Sequence, residues 1–439
     1  MSAAAPAGSD RTGAPESRPA TFREVLAERE FRPLFGSYLL STAGDELARV
    51  ALTVLVYQRT SSPLLSAITF GISYLPWLLG GPLLSTLADR FPRHRVLITT
   101  DVARVVLVAG MAIPGTPLPV LLALLLLVAL CAPPFESARS ALMADVLDGD
   151  RYALATSLTN VGAQVAQVAG FVLAGSLVAL FSPSAVLLLD AATFAVSALW
   201  LSARLQRRPA PAAEAGGEAG RSVWRDAGDG VRLIGRSPRL RAILVLTWVG
   251  TLFANAAEGI ATPLVDGLGE GAAHVGVLLA ANPLGVTVGG LLLARVLTQE
   301  RRERLVPVLV VLSLLPILAA GLVTMWAGPG RGAYVLVVVL MFVAGLGASW
   351  TIPLNVAFVQ AVPSAFRGRA FGVAVSGLYG VQGLGVLVAG LAAEGLPAGA
   401  VVALIGGTGL LAVVWPLLSY GRTQGHVAAT ATPAGRSVP

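Results

Sequence analysis

The sequence predicts an all-α, polytopic membrane protein of 12 transmembrane helices in two pseudo-symmetric six-helix bundles. Three observations predict it. Mean hydropathy is +0.76, with 55% of the 439 residues apolar and 13% charged, where soluble domains carry about 25% charged residues. Apolar runs of roughly twenty residues recur along the chain, each long enough to cross ~30 Å of hydrocarbon at ~1.5 Å per residue. A polar stretch at 206–240, rich in Ala, Gly, Pro and Arg, divides these runs into two groups.

Residues 1–21 are rich in Ala, Gly, Ser and Pro and lack an apolar core, so they read as a disordered tail and not as a cleavable signal. A charged surface segment at 24–32 follows, and the bundle proper begins at 32. Spans are expected at 34–57, 64–88, 96–114, 117–138, 153–180 and 184–205, with an inner loop at 142–151 that carries Asp145, Asp148 and Asp150. The turns at 115–116 and 181–183 carry no charge, as loops on the outer side should. Within the linker, 222–233 reads as a surface helix. The second bundle, 241–420, has spans at 242–265, 275–297, 305–326, 334–362, 370–393 and 398–420, and 421–439 forms a loose polar tail.

Charge sets the orientation. All thirty-one basic residues are arginine; Arg59 and Arg331 fall in outer loops, Arg49 and Arg104 fall within spans, and the rest border the other side. That bias places both termini in the cytoplasm. The net charge of +7 follows from this placement, and without aromatic-basic interleaving it does not indicate nucleic acid.

After the second span comes Ser85-Thr86-Leu87-Ala88-Asp89-Arg90-Phe91-Pro92-Arg93-His94-Arg95, a polar hairpin at the inner face. Asp89 at the end of one helix can accept from the free amides at the start of another, latching the two halves together. The end of span eight, Gly289-Gly290 to Arg295 followed by Arg301, Arg302 and Arg304, is a degraded echo of this hairpin. The turn at 145–151 is likewise echoed by 362–369, which contains Arg367, Gly368 and Arg369. Repetition across a long linker is the mark of a transporter built from two related halves.

The hairpin resembles the loop between helices two and three of the major facilitator superfamily, whose pattern is Gly-x-x-x-Asp-Arg-x-Gly-Arg-Arg. Asp89, Arg90 and Arg93 stand in place, while Ser85, Pro92 and His94 depart from it. The runs Ser41-Thr42-Ala43-Gly44-Asp45 and Phe135-Glu136-Ser137-Ala138-Arg139-Ser140-Ala141 resemble its bacterial exporter branch, which includes the enterobactin exporter and macrolide-efflux-like proteins. Gly170, Ala174 and Gly175 resemble part of the antiporters' Gly-Pro-x-x-Gly-Gly element, with Phe171 at the proline. The resemblance implies alternating access, coupling to a proton gradient, and outward movement of a small organic molecule across the bacterial plasma membrane.

Ionisable groups at membrane depth are functional candidates by default. Asp45, Glu46 and Arg49 lie together in the first span; positions 45 and 49 share a face and Glu46 points about 100° away. Either they form a self-neutralising trio, or one acid pairs with Arg49 while the other faces a cavity. Glu258 in span seven is more isolated, so Asp45, Glu46 and Glu258 are the proton-coupling candidates. Asp89, Arg90, Arg93, Asp101, Arg104, Glu136, Arg139, Arg367 and Arg369 are the candidates for an inner gate or latch. Asp101 with Arg104, one turn apart, reads first as a structural pair or a partner to Asp89. Asp190 near the outer end of span six reads as interfacial. Arg49, Asn160, Gln164, Gln167, Asn255, Asn355 and Gln382 are substrate-path candidates, and Tyr74, Trp77, Phe253, Trp350 and Tyr379 are possible apolar walls.

No phosphate loop, zinc-protease motif or nucleophile elbow occurs, and His94, His274 and His426 are scattered, so no enzyme, cofactor or metal is expected. The expected partners are lipid, protons and a small molecule, with the protein acting as a monomer. An uptake transporter or lysolipid flippase of the same fold, and a non-transporting receptor or scaffold, are the competing functions.

Overall fold

The computed structural model describes residues 21–79, 90–209, 223–363 and 366–430. In chain order its long rods are α1 (Phe31–Thr60), α2 (Pro63–Leu78), α3 (Arg93–Met111), α4 (Leu118–Val146), α5 (Gly149–Leu180) and α6 (Pro183–Arg204). After the linker come α7 (Pro238–Gly267), α8 (Ala272–Val296), α9 (Gln299–Trp326), α10 (Arg331–Ala361), α11 (Arg367–Gly395) and α12 (Ala398–Thr423). Among the described residues, nine of these, α4 to α12, are long and apolar enough to cross a membrane by length and composition. The first three fall short for visible reasons: α1 holds Asp45, Glu46 and Arg49, α3 holds Asp101 and several arginines, and the described residues of α2 stop at Leu79.

Local chemistry starts and bends the rods. Three of them open on Ser-Pro, at Ser62, Ser182 and Ser237. Each serine hydroxyl accepts the amide three residues on, and the proline, which has no amide to waste, takes the first helical turn. Inside the spans, proline breaks the ladder at the carbonyl four residues earlier. Pro76 accounts for the 3-10 turn Ile72–Tyr74 in α2, Pro263 for the 3-10 turn Ala256–Ile260 in α7, Pro133 and Pro134 for the break at Cys131 in α4, and Pro353 for the break at Ser349 and Trp350 in α10.

The packing repeats. In the first group α1 lies on α5 and α6, and α3 on α6; six helices later α7 lies on α11 and α12, and α9 on α12. The groups meet through α5 against α8 and α2 against α11. Advancing each partner by six exchanges these two contacts, the signature of a pseudo-twofold axis between the halves.

Both contacts are tight toward the face opposite the arginines. A Cβ on Gly276 of α8 would stand 2.7 Å from the Gly175 nitrogen of α5 and closer still to the Phe171 carbonyl, so only glycine lets these backbones touch. Hydrogen bonds also join the halves at that face. The Ser62 hydroxyl and the Leu64 amide donate to Glu394 at 2.5 and 3.0 Å, and the Tyr57 hydroxyl donates to Asp266 at 3.4 Å.

Three expectations are corrected here. The loop expected at 142–151 is almost all helix, α4 running to Val146 and α5 starting at Gly149. Leu142 packs with Leu34 and Leu97, and Met143 and Leu147 pack with Phe31 and Val25, so apolar burial carries the helix on. Asp190 is not interfacial but fully buried, its carboxylate lying over Gly44 of α1. The helix after Val414 continues to Thr430, where a loose tail was expected from 421.

Glu30 anchors the arginine-rich end of the first group. Its carboxylate, 6% exposed, accepts the Gln206 amide at 2.7 Å and both Arg208 guanidinium nitrogens at 3.1 and 2.5 Å. Burial alone would raise its pKa, but Arg208 and the Gln206 amide hold it below the ordinary value of 4.5. A depressed folded-state pKa stabilises above the unfolded pKa, and that stabilisation is lost as pH falls through the folded one. Glu30→Gln is therefore expected to cost about 1 to 2 kcal/mol at neutral pH, seen as a lower melting temperature in detergent. The gap to the parent protein should close as pH drops below 4.5.

Candidate functional site

A cavity of about 690 Å³ lies between the halves, walled by α1 to α5, α7, α8, α10 and α11. Four proline breaks deliver side chains to it: Tyr74 and Trp77 from α2, Phe135 and Glu136 from α4, Glu258 from α7, Trp350 and Thr351 from α10. A 3-10 turn advances about 120° per residue instead of about 100°. The break in α7 thus re-aims Glu258 as well as loosening the helix around it.

Three charged groupings sit at the walls. In the first, Arg49 pairs with Glu46 at 3.0 Å, Gln167 donates to the same carboxylate at 3.4 Å, and the Arg49 guanidinium lies 5.2 Å from the Phe70 ring centre. Across the gap between halves, Glu258 accepts from the Tyr74 hydroxyl at 3.4 Å, and Arg49 is within its Coulombic reach. Among the described residues Glu258 has no ion pair within 4.0 Å.

The second grouping lies deeper in the first half. Arg104, 3% exposed, is held between the rings of Phe135 and Phe194 at 5.3 and 5.1 Å, 4.0 Å from Asp101 and within Coulombic reach of Asp45. Asp101 accepts from the Ser197 hydroxyl at 2.5 Å, and Asp190 from Thr193 at 3.2 Å. In the third, Glu136 takes the Arg139 Nε at 3.0 Å while the Arg139 guanidinium lies 4.0 Å from the Tyr38 ring centre.

These positions decide several sequence readings. Of the trio in α1, Glu46 pairs with Arg49, and Asp45 turns toward the cavity and Arg104. All three proton-coupling candidates, Asp45, Glu46 and Glu258, line the cavity, as do Arg49, Gln164, Gln167, Asn255 and Gln382. Asn160 and Asn355 are exposed and not among the lining residues. Tyr74, Trp77, Trp350 and Tyr379 are wall residues, whereas Phe253 packs against Gly409 of α12.

The gate candidates divide. Asp89 lies outside the described residues. Arg90 and Arg367 are exposed, Arg93 pairs with Asp145, and Arg369 pairs with Asp229 of the linker helix Val223–Arg236 at 3.4 Å. Asp101 and Arg104 lie 4.0 Å apart, buried inside the first half. Sequence reasoning missed Tyr38, Asn282, Glu394 and the depth of Asp190. A proline two to four residues after each of these breaks was the signal for the cavity-lining turns.

Residues 34–329 match the family model described as the Major Facilitator Superfamily. A curated relative, the uncharacterized MFS-type transporter YfiS of Bacillus subtilis (strain 168), is 25% identical over 369 residues, covering 81% of this chain and 85% of its own. Solved structures share the fold. The nucleoside transporter NupG aligns with TM-score 0.70 at 14% identity over 89% of this chain and 98% of its own. A POT family transporter in complex with 5-aminolevulinic acid aligns with TM-score 0.69 at 14% identity over 90% and 96%.

Proposed function

Because the chain belongs to the Major Facilitator Superfamily and is a multi-pass membrane transporter, we propose that it is a proton-coupled exporter of a small organic molecule, with Glu258 carrying the coupled proton. The observation that supports this is the placing of Glu258. It stands on a helical break at the wall of the cavity shared by both halves, beside a neutral donor from the opposite half and short of a cation of its own. A cavity wetted from one side and then the other lets a proton carried there enter and leave on different faces. Glu46 differs in pairing with Arg49 at 3.0 Å, and Asp45 in facing Arg104 as well as Arg49. In this reading the arginine-rich face is cytoplasmic, both termini lie there, and the membrane is the bacterial plasma membrane.

Inside-out and right-side-out vesicles loaded against an imposed pH gradient test the proposal with a fluorescent dye. Accumulation in inside-out vesicles is the result expected of an exporter; accumulation only in right-side-out vesicles identifies uptake. Glu258→Gln is expected to keep its elution profile and melting temperature while gradient-driven accumulation falls to the empty-vesicle level. Unchanged accumulation by that variant removes Glu258 from the coupling step.

A further inference from the structure

The charges around the cavity are unevenly satisfied. Four acids line it, Asp45, Glu46, Glu136 and Glu258, against Arg49 and Arg104. Glu46 is spoken for by Arg49 at 3.0 Å, Glu136 by Arg139 at 3.0 Å, and Asp45 lies under the field of Arg104 and Arg49. Asp45 and Glu258 have no ion pair within 4.0 Å among the described residues; Asp45 lies in the field of both Arg104 and Arg49, whereas Glu258 lies in that of Arg49 and accepts from the Tyr74 hydroxyl at 3.4 Å.

Beside that partner runs an aromatic surface assembled from both halves. Trp77 of α2 stacks on Tyr379 of α11 with ring centres 5.2 Å apart and planes 22° from parallel, and Tyr74 stands 6.0 Å from the same tyrosine. Rings attract a cation through their quadrupole, and a desolvated carboxylate gains most from a cation brought to it. An anion entering the cavity meets arginines already engaged by acids, with four lining acids against two lining arginines. The volume, about 690 Å³, is that of a drug-sized ligand.

Resting on the transport reading above, we propose that the cavity takes a monovalent organic cation with a flat aromatic body, its charge against Glu258 and its body against Tyr74, Trp77 and Tyr379. The groups that face Glu258 are Tyr74 from α2 and Arg49 with Glu46 from α1, and α11 adds Tyr379 and the Gln382 amide to the same cavity. None of them supplies a second unbalanced negative charge. Cation and proton therefore compete for one carboxylate, and each turnover exchanges one for the other.

Equilibrium dialysis of the purified full chain in detergent, with no gradient present, tests this. The probes are two aromatic monocations, tetraphenylphosphonium and ethidium, and the isosteric anion tetraphenylborate. At least one cation is expected to bind saturably, more weakly at mildly acidic than at neutral pH, while the borate does not saturate. Glu258→Gln should weaken the cation by about tenfold or more and remove the pH dependence; Trp77→Ala should weaken it and keep the pH dependence. Saturable binding of neither cation, equal binding of the borate, or unchanged cation binding by Glu258→Gln overturns the inference. Because the measurement uses no gradient, the last of these combined with lost gradient-driven transport leaves the coupling role standing and removes only the cation.

Discussion

Gly276→Leu is expected to abolish turnover by prying the two halves apart at the arginine-poor face. The leucine Cβ would stand 2.7 Å from the Gly175 nitrogen and nearer still to the Phe171 carbonyl oxygen. These neighbours are backbone, so no rotamer relieves the clash. Overpacking a core costs about 1 to 3 kcal/mol where side chains can yield, and this contact is stiffer. Because every 1.4 kcal/mol is a factor of about ten, closure at this face should become disfavoured by one to two orders of magnitude or more. The clash disappears when the halves separate there, so the protein should stay folded in the alternative arrangement. Ser66, fully buried in α2 near this face, offers a reporter. In a Cys131→Ser background, Ser66→Cys is expected to resist maleimide until Gly276→Leu is added; equal labelling with and without the leucine refutes the mechanism.

The second large effect is expected at Arg104. Its guanidinium is the cation that Asp101, Asp45 and Asp190 share, between two phenyl rings in the core of the first half. Removing one member of a buried pair leaves an uncompensated charge and costs about 3 to 5 kcal/mol. Arg104→Met should therefore give little folded protein, measured as monodisperse yield and melting temperature. Arg104→Met combined with Asp101→Asn removes a charge of each sign and should recover most of the loss. If the double variant is no better than the single one, the guanidinium acts by packing on Phe135 and Phe194 and not by charge.

The sequence alone carries the fold class well, because hydrocarbon thickness is a strong constraint that acts on composition. Twelve runs, a central linker and the echo between halves are all visible without coordinates. Burial within the bundle is less legible. Asp190 looks interfacial by its place along the helix, yet Gly44 on a different rod opens the space that swallows it. The pairing of Arg49 illustrates the same limit: spacings of three and four residues both bring side chains together on a helix, and Gln167 from α5 marks Glu46 as the partner. Asn160 lies one turn before Gln164 on the same helix, but the cavity ends before reaching it. The prolines were legible and informative in hindsight, since each break lies where a missing amide and a ring clash require it, and four such breaks face one cavity.

The contacts that hold the arginine-poor face shut have a chemical asymmetry. Glu394 and Asp266 each take hydrogen bonds from a hydroxyl or a backbone amide, and no guanidinium stands opposite either of them in those bonds. Dissolved electrolyte weakens attraction between opposite charges over about 10 Å or less at moderate concentrations, but it has little to screen between a carboxylate and a neutral donor. In the proposed orientation this clasp meets the outside medium directly. The threshold for opening it should accordingly stay nearly constant between dilute and saline surroundings.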